Sequence, residues 1–244
     1  MIPMRKSIKE LYDDGRFEEA KDLIASTYPS PYETPDEILA MEGWCLYRCK
    51  EYKRADGAGI ILCERGAPAG FEIRAQIAAY VTKDDELLQK LYWEKPNNPS
   101  MANAIVIRSR DDDSNIATNV VTCIARKFMN DGQMASIHII NNAARTVYKR
   151  SLSKSLDDAI LAMGLWEIAL KKYGRKNYHH KAAVHYWMSQ AYESLGEKKL
   201  SFKSAQRCAD LWKEAIRRDP ENPKFQENFI GAKERLKKLL KELR

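Results

Sequence analysis

The chain has 244 residues, of which 44% are hydrophobic and 31% are charged, and its mean hydropathy is −0.56. No apolar run approaches the roughly 18 residues that a membrane-spanning helix needs. The N-terminus, MIPMRKSIKELYDDG, also lacks the apolar core and cleavage site of a secretory signal. The composition therefore favours a soluble, folded protein with no membrane partner.

The net charge of +7 is concentrated towards the C-terminus. From Ser151 onward there are 20 Lys and Arg residues against 12 Asp and Glu, whereas residues 1–150 are close to neutral. Such an excess can indicate an acidic partner or a nucleic-acid backbone.

The five cysteines are odd in number and scattered, and most have apolar neighbours. This usage favours buried thiols in the reducing cytoplasm over a disulfide framework. We therefore expect a cytoplasmic protein.

Apolar residues at helical spacing predict a series of helical hairpins, separated by proline-rich or polar breaks. Gly15 supplies the turn of the first hairpin. Thr34, just before Pro35, predicts an N-cap with proline at the first position of the next helix. The six predicted hairpins cover approximately residues 4–28, 36–66, 71–95, 99–129, 133–173 and 178–218.

Three features of the later hairpins carry further expectations. The acidic run Asp111–Asp113 is expected to precede a helix N-terminus and to complement its dipole. The tryptophans Trp166, Trp187 and Trp212 lie in helices of apolar period, which predicts core positions. The last helix, within residues 222–244, has one apolar stripe and is expected to cover the end of the stack.

Two of the hairpins are related by an internal repeat. When residues 36–69 are compared with the segment 35 residues upstream, Tyr52 matches Phe17 and Ala55 matches Ala20. A period in the thirties indicates stacked helical hairpins.

These positions resemble the tetratricopeptide (TPR) repeat. The matching residues are Leu39, Gly43, Leu46, Tyr52, Ala55 and Pro68 in the second hairpin, Leu11, Gly15, Phe17, Ala20 and Ile24 in the first, and Tyr192, Gly196, Ala205 and Pro220 in the last. Glu42 and Gly59 depart from the repeat pattern. The resemblance implies an all-α, right-handed superhelical α-solenoid of about six antiparallel hairpins over residues 1–221, with a C-terminal capping helix over 222–244.

The resemblance also implies that the first helices of the hairpins line a concave groove that binds peptides of other proteins. On that face the sequence places aromatic and cationic side chains: Arg5, Lys9 and Tyr12, then Trp44, Tyr47 and Arg48, then Arg74 beside Phe71 and Ala78. Such a surface suits an acidic peptide. With no asparagine beside Lys9 or Trp44, the terminal-carboxylate clamp of some family members is not expected. Solvated charges, with the aromatics packed on the next hairpin, are the alternative.

A second candidate surface is the basic segment 171–181. Its cations are Lys171, Lys172, Arg175, Lys176 and Lys181, with Tyr173 and Tyr178 between them. Cations in this arrangement can contact phosphates. The same composition is also ordinary for an exposed loop, and no base-reading residue pair recurs at the repeat period.

No sequence pattern predicts catalysis. A glycine-rich phosphate loop, a nucleophile elbow and a placed carboxylate pair are missing from the sequence. The histidines lack a four-residue pair, and Cys45 and Cys49 lack a second ligand pair, so we expect no metal and no cofactor.

The sequence therefore predicts a noncatalytic scaffold or adaptor that binds a peptide segment of another protein. Association with nucleic acid or a ribonucleoprotein through the basic C-terminal half is one alternative. A structural subunit of a larger assembly is another. The sequence does not specify an oligomeric state.

Overall fold

The computed structural model describes residues 7–111, 113–131, 136–150 and 156–243. This part of the chain forms thirteen α-helices and no β-strand. A short π-helix, Ala78–Thr82, continues the fifth helix, and none of the described helices is long and apolar enough to cross a membrane. The helices are α1 (Ile8–Asp13), α2 (Phe17–Thr27), α3 (Asp36–Arg48), α4 (Tyr52–Glu64), α5 (Pro68–Ile77), α6 (Asp85–Glu94), α7 (Pro99–Arg108), α8 (Thr118–Asn130), α9 (Ile137–Arg150), α10 (Leu156–Lys172), α11 (Tyr178–Ser194), α12 (Lys198–Arg218) and α13 (Pro223–Glu242).

The helices form two compact units: unit 1 ends at Ile116 and contains α1 to α7, and unit 2 starts at Ala117 and contains α8 to α13. In unit 1, α3 packs on α4 and α4 on α5. In unit 2, α9 packs on α10, α11 on α12 and α12 on α13. Packing between neighbours along the chain is that of an α-solenoid, so the predicted fold class is confirmed.

Helices that follow one another in sequence pack together, but α7 and α8, which form the fourth predicted hairpin, belong to different units. Within unit 1, α7 packs on α5 and α6, and within unit 2, α8 packs on α9 and α10. The division into a repeat domain and a capping helix, and the handedness of the superhelix, stay predictions.

Turns of two kinds connect the helices within hairpins. Gly15 and Gly196 adopt the left-handed conformation, with φ of 74° and 77°, as the repeat pattern predicts. At the corresponding turn between α3 and α4, Lys50 takes φ of 65°, and Lys83 takes φ of 56° before α6. The hairpin geometry is thus kept where the sequence has no glycine.

The prediction that Thr34 caps α3 is wrong. The helix begins at Asp36 with Pro35 as the N-cap, and the buried Thr34 hydroxyl donates to the Ser30 carbonyl at 2.9 Å. Arg65 holds this loop: its guanidinium donates to the Thr34 carbonyl at 2.8 Å and pairs with Asp36 at 2.8 Å. The loop is therefore fixed by a distant arginine rather than by its own threonine.

Glycines bring α3, α4 and α5 into close contact. A Cβ atom at Gly70 would lie 2.6 Å from both the backbone nitrogen of Cys63 and the carbonyl oxygen of Gly59. A Cβ at Gly43 would lie 2.6 Å from the side chain of Ile73. This contact adjoins an aliphatic core that includes the buried Leu39, Leu46, Leu62 and Ile73.

The acidic run also has a different role from the predicted one. Because α8 begins only at Thr118, Asp111 and Asp113 do not cap it. They instead pair with the Arg108 guanidinium, at 3.0 and 2.6 Å, and Asp85 lies 2.9 Å from its Nε. The Arg108 side chain is only 2% exposed, and a buried guanidinium needs such partners.

The core of unit 2 combines many small and aliphatic residues with a few large rings. Trp166 and Trp212 are buried, as predicted. Trp187 is only half-buried, so the prediction that it is a core residue is wrong. The helix α13 packs on α12 and buries Ala232 and Leu239.

Candidate binding surfaces

The predicted groove residues of α1 and α3 meet around Phe17. The Tyr12 and Phe17 rings lie edge to face with centroids 5.8 Å apart, and the Arg48 guanidinium lies 5.8 Å from the Phe17 ring. Arg48 and Lys9 are exposed. Arg5 lies outside the described residues.

The aromatic residues of α3 extend this cluster. Trp44 contacts Tyr47 with centroids 5.9 Å apart, and Tyr47 contacts Tyr52 at 5.6 Å. Trp44 and Tyr47 are half-buried and also pack against the aliphatic core. The unit 1 aromatic surface, defined as Tyr12, Phe17, Trp44, Tyr47, Arg48 and Tyr52, therefore combines packing with partial exposure.

The third hairpin places its predicted residues elsewhere. Arg74 pairs with Asp56 at 3.0 Å and lies against Gly59 of α4, while Phe71 and Ala78 are buried. These side chains belong to the contacts between α5 and its neighbours.

Unit 1 also has a cavity of about 350 Å³ between α3, α4 and the loop before them. Its walls are mainly aliphatic, with the exposed Tyr32 at the loop and Glu42 on α3. Burial raises the pKa of the Glu42 carboxyl above its usual value.

In the basic segment, the cations and the tyrosines have different environments. Lys171, Lys172, Arg175 and Lys176 are exposed, and Lys181 is half-buried on α11. The two tyrosines are engaged within the fold: Tyr173 is buried and stacks on His180 with centroids 5.4 Å apart, and Arg218 covers Tyr178 at 4.7 Å. The segment therefore presents charge to solvent but not its aromatic rings.

A cavity in unit 2 was not predicted from the sequence. It has a volume of about 400 Å³ and lies between α9, α11, α12 and α13. Two of these helices, α9 and α11, are the first helices of the fifth and sixth predicted hairpins, and α13 follows the sixth hairpin where another first helix would stand. The repeat resemblance implies that first helices form the binding face. The lining residues of the unit 2 cavity are Arg145, His179, His180, Ala183, Tyr186, Trp187, Trp212, Glu227, Asn228, Gly231 and Ala232.

Ring contacts connect several residues around the unit 2 cavity. His179 stacks on Phe225 with centroids 5.4 Å apart, and Phe225 contacts Trp212 at 5.6 Å. His179 and His180 lie 3.9 Å apart, and His138 contacts His180 at 4.8 Å. These rings form a continuous aromatic wall.

Two histidines of the wall, His179 and His180, favour the neutral form at pH 7 because their pKa values are lowered. Burial, together with the neighbouring His179 and His138, lowers the pKa of His180 to about 4. Burial and His138 also lower the pKa of His179. Neutral imidazoles can stack as aromatic rings and donate one hydrogen bond each.

Two cations lie over Trp187, the ring that was predicted to be core. The Arg145 guanidinium is 4.7 Å and the Lys149 ammonium 5.4 Å from its centroid. Cations at such distances are attracted to the face of an indole ring. Across the cavity, Glu227 of α13 is exposed.

Two sequence signals could have indicated this site. Arg145 and Lys149 are four residues apart and therefore share a face of α9. Gly231 interrupts a 20-residue helix, where glycine is unfavourable without a structural reason.

The described residues form neither a metal-binding group nor a reactive thiol. Among the described residues, no group of three or more His, Cys, Asp or Glu side chains could hold a metal ion. All five cysteines are free, and burial raises the pKa of the Cys45 and Cys208 thiols to about 12, which disfavours thiolate chemistry.

Comparison with known proteins identifies the fold. No family model and no curated protein matches the chain. The structure is similar to the C-terminal part of a TPR repeat-containing protein from Cytophaga hutchinsonii, with a TM-score of 0.55 and 14% sequence identity over 91% of this chain and 97% of that chain. The fold is TPR-like. A human IFIT1 dimer with PPP-AAAA aligns at a TM-score of 0.44 and 18% identity, over 96% of this chain and 58% of that chain.

Proposed function

We propose that this protein is a noncatalytic TPR-like scaffold that binds a segment of another protein on the face formed by its first helices. The unit 2 cavity is the observation that carries the proposal. A concave site with an aromatic lining and a few polar groups is the usual form of a recognition pocket. Its place on α9, α11 and α13 agrees with the binding face that the TPR-like fold implies.

Photo-crosslinking tests this proposal directly. A photoreactive amino acid replaces Asn228, which lines the unit 2 cavity and is exposed, or Lys213, which is exposed on α12 and is not among the lining residues. In native extract we expect a discrete protein adduct at position 228 and none at 213. Equal labelling at both positions would contradict the proposal.

A variant that fills the unit 2 cavity provides a second test of the proposal. A Cβ atom at Gly231 would meet no atom within 4 Å, so Gly231→Leu is expected to fold and to occupy space in the cavity. We expect it to abolish the adduct at position 228. An unchanged adduct, with unchanged circular dichroism, would place the binding site elsewhere.

The unit 1 aromatic surface is tested separately, with Lys9→Ala and Arg48→Ala combined, because both residues are exposed. If this surface binds a partner segment of its own, the double variant recovers less partner protein in a pull-down. Unchanged recovery of the partner would confine the binding site to unit 2.

Nucleic-acid association is the second candidate, favoured by the four exposed cations of the basic segment, Lys171, Lys172, Arg175 and Lys176. Binding through phosphates would weaken steeply with salt. Reversing all four charges to glutamate should then abolish it. Salt-independent or undetectable binding to RNA and DNA would remove this candidate.

A further inference from the structure

The size of the unit 2 cavity limits what it can hold. Pockets for small molecules span roughly 300–1,000 Å³, and about 400 Å³ is at the lower end of that range. The space suits one large side chain with its adjoining backbone. A helix, about 10 Å across, does not fit in such a volume.

Gly231 keeps part of this space open. It lies in the middle of α13, where alanine would be more favourable by roughly 1 kcal/mol. Gly43, Gly59 and Gly70 allow close helix contacts, but nothing lies within 4 Å of a Cβ added at Gly231. Helix packing therefore does not require this glycine, whereas an unobstructed cavity wall does.

The lining favours an aromatic occupant. Trp187, Trp212 and the neutral pair His179 and His180 present ring surfaces, and rings prefer other rings at centroid distances of about 4.5–7 Å. Buried Trp and Tyr side chains are also enriched among the residues that contribute most to binding energy in protein interfaces. An aliphatic side chain would fill the volume without using these ring faces.

The charges favour an acidic neighbour for that anchor. Arg145 and Lys149 both lie over Trp187, and Lys149 is exposed. The one carboxylate among the lining residues, Glu227, lies on α13, on the other wall. A carboxylate that follows or precedes the anchor can pair with the exposed Lys149, and a cationic residue there would be repelled.

The α13 wall suits a peptide backbone. Asn228 donates through Nδ2 to the Lys224 carbonyl at 2.7 Å, which fixes the orientation of its amide and therefore of the acceptor Oδ1. Glu227 provides further acceptor oxygens. Acceptors match the N–H groups of a peptide, whereas they would repel the phosphates of RNA.

We infer that the unit 2 cavity receives an aromatic side chain of the bound segment, and that an Asp or Glu next to that aromatic residue pairs with the exposed Lys149. This inference rests on the proposed function and names the chemistry of its ligand. The occupant is a peptide with an aromatic residue beside an acidic one.

Selection from random libraries tests the inference without knowledge of the natural partner. A display library of random 12-residue peptides is selected on the full chain and counter-selected on Gly231→Leu, with Lys237→Leu, an exposed position of α13 that is not among the lining residues, as the matched control. A random RNA pool is carried through the same steps. We expect peptides with an aromatic residue next to Asp or Glu, which bind at least roughly 10-fold more weakly to Gly231→Leu and equally well to Lys237→Leu.

Individual peptides then test each part of the inference. Replacing the aromatic residue by alanine should weaken binding roughly 10-fold or more, and Lys149→Glu should weaken binding of the acidic peptide but not of one with lysine in place of the acid. Enriched peptides that are basic or lack an aromatic residue would overturn the inference and leave the proposed function standing. If only RNA is enriched, or if no enriched molecule binds more weakly to Gly231→Leu, both the inference and the proposed function would be overturned.

Discussion

Both units contain a cavity, but different residues stand where their helices meet. In unit 1, Gly43, Gly59 and Gly70 allow α3, α4 and α5 to approach until a single added carbon atom would overlap backbone. In unit 2, Trp187 and Trp212 stand where helices meet, and they border a cavity. Small residues let helix backbones approach closely, whereas the large rings of unit 2 both pack between helices and line a cavity.

The polar groups follow the same contrast. In unit 1, the buried Arg108 at the end of α7 pairs with three carboxylates, those of Asp85, Asp111 and Asp113. Unit 2 keeps its cations, Arg145 and Lys149, on the face of an aromatic ring at the cavity. The first arrangement stabilises the fold, and the second is suited to recognition.

The largest effect is expected for Arg108→Met in unit 1. Removal of the guanidinium leaves Asp85 buried at 6% side-chain exposure without its cation, which should cost about 3–5 kcal/mol of unfolding free energy. Urea unfolding followed by circular dichroism measures the loss. The double variant Arg108→Met with Asp85→Leu should recover part of it, and a loss below about 1 kcal/mol would refute the structural role.

Gly70→Ala should produce the next largest effect. Its Cβ would lie 2.6 Å from backbone atoms of both Gly59 and Cys63, and backbone cannot move aside as a side chain can. We expect a destabilisation of about 1–3 kcal/mol, or more, from overpacking. Gly57→Ala on α4 is the matched control, because a Cβ there meets nothing within 4 Å. If the two variants unfold at the same urea concentration, the close contact is not tight.

Acidification should affect unit 2 selectively, since all four histidines lie there. Burial lowers the pKa of His180 and His185 from 6.5 to about 4. Between these values the unfolded chain binds protons that the folded chain does not, so this part of the stability is present above 6.5 and is lost as the pH falls towards 4. Thermal unfolding near pH 7 and near pH 5 should show the fall, and the double variant His180→Gln with His185→Gln should reduce it. An identical pH dependence in that variant would assign the effect to other groups.

The smallest effect is expected for Gly231→Ala in unit 2. Alanine at this open helical position should stabilise the protein by about 0.5–1 kcal/mol, in contrast to Gly70→Ala. Thermal unfolding measures the gain. A destabilised variant would mean that the cavity wall is packed more closely than the structure shows.

Local chemistry made most of the fold predictable. Prolines, turn glycines and apolar spacing act within a few residues, so the sequence located the helices to within a few positions and indicated the solenoid class. Long-range contacts were missed for the same reason. Thr34 follows the N-cap pattern, yet its loop is held by Arg65, about 30 positions away. The acidic run pairs with Arg108 and does not complement a helix dipole.

The binding surfaces show the same limit. The sequence by itself determined that the protein is a stack of helical hairpins. It also predicted a surface in unit 1 that contains Tyr12, Arg48, Trp44 and Tyr47. Only the tertiary structure decided that Trp187 borders a cavity, because the cavity depends on side chains from four helices that are up to 87 positions apart in sequence, from Arg145 to Ala232. Periodicity shows which side of a helix is apolar, but whether a neighbouring helix fills that side depends on how the side chains of both helices interlock.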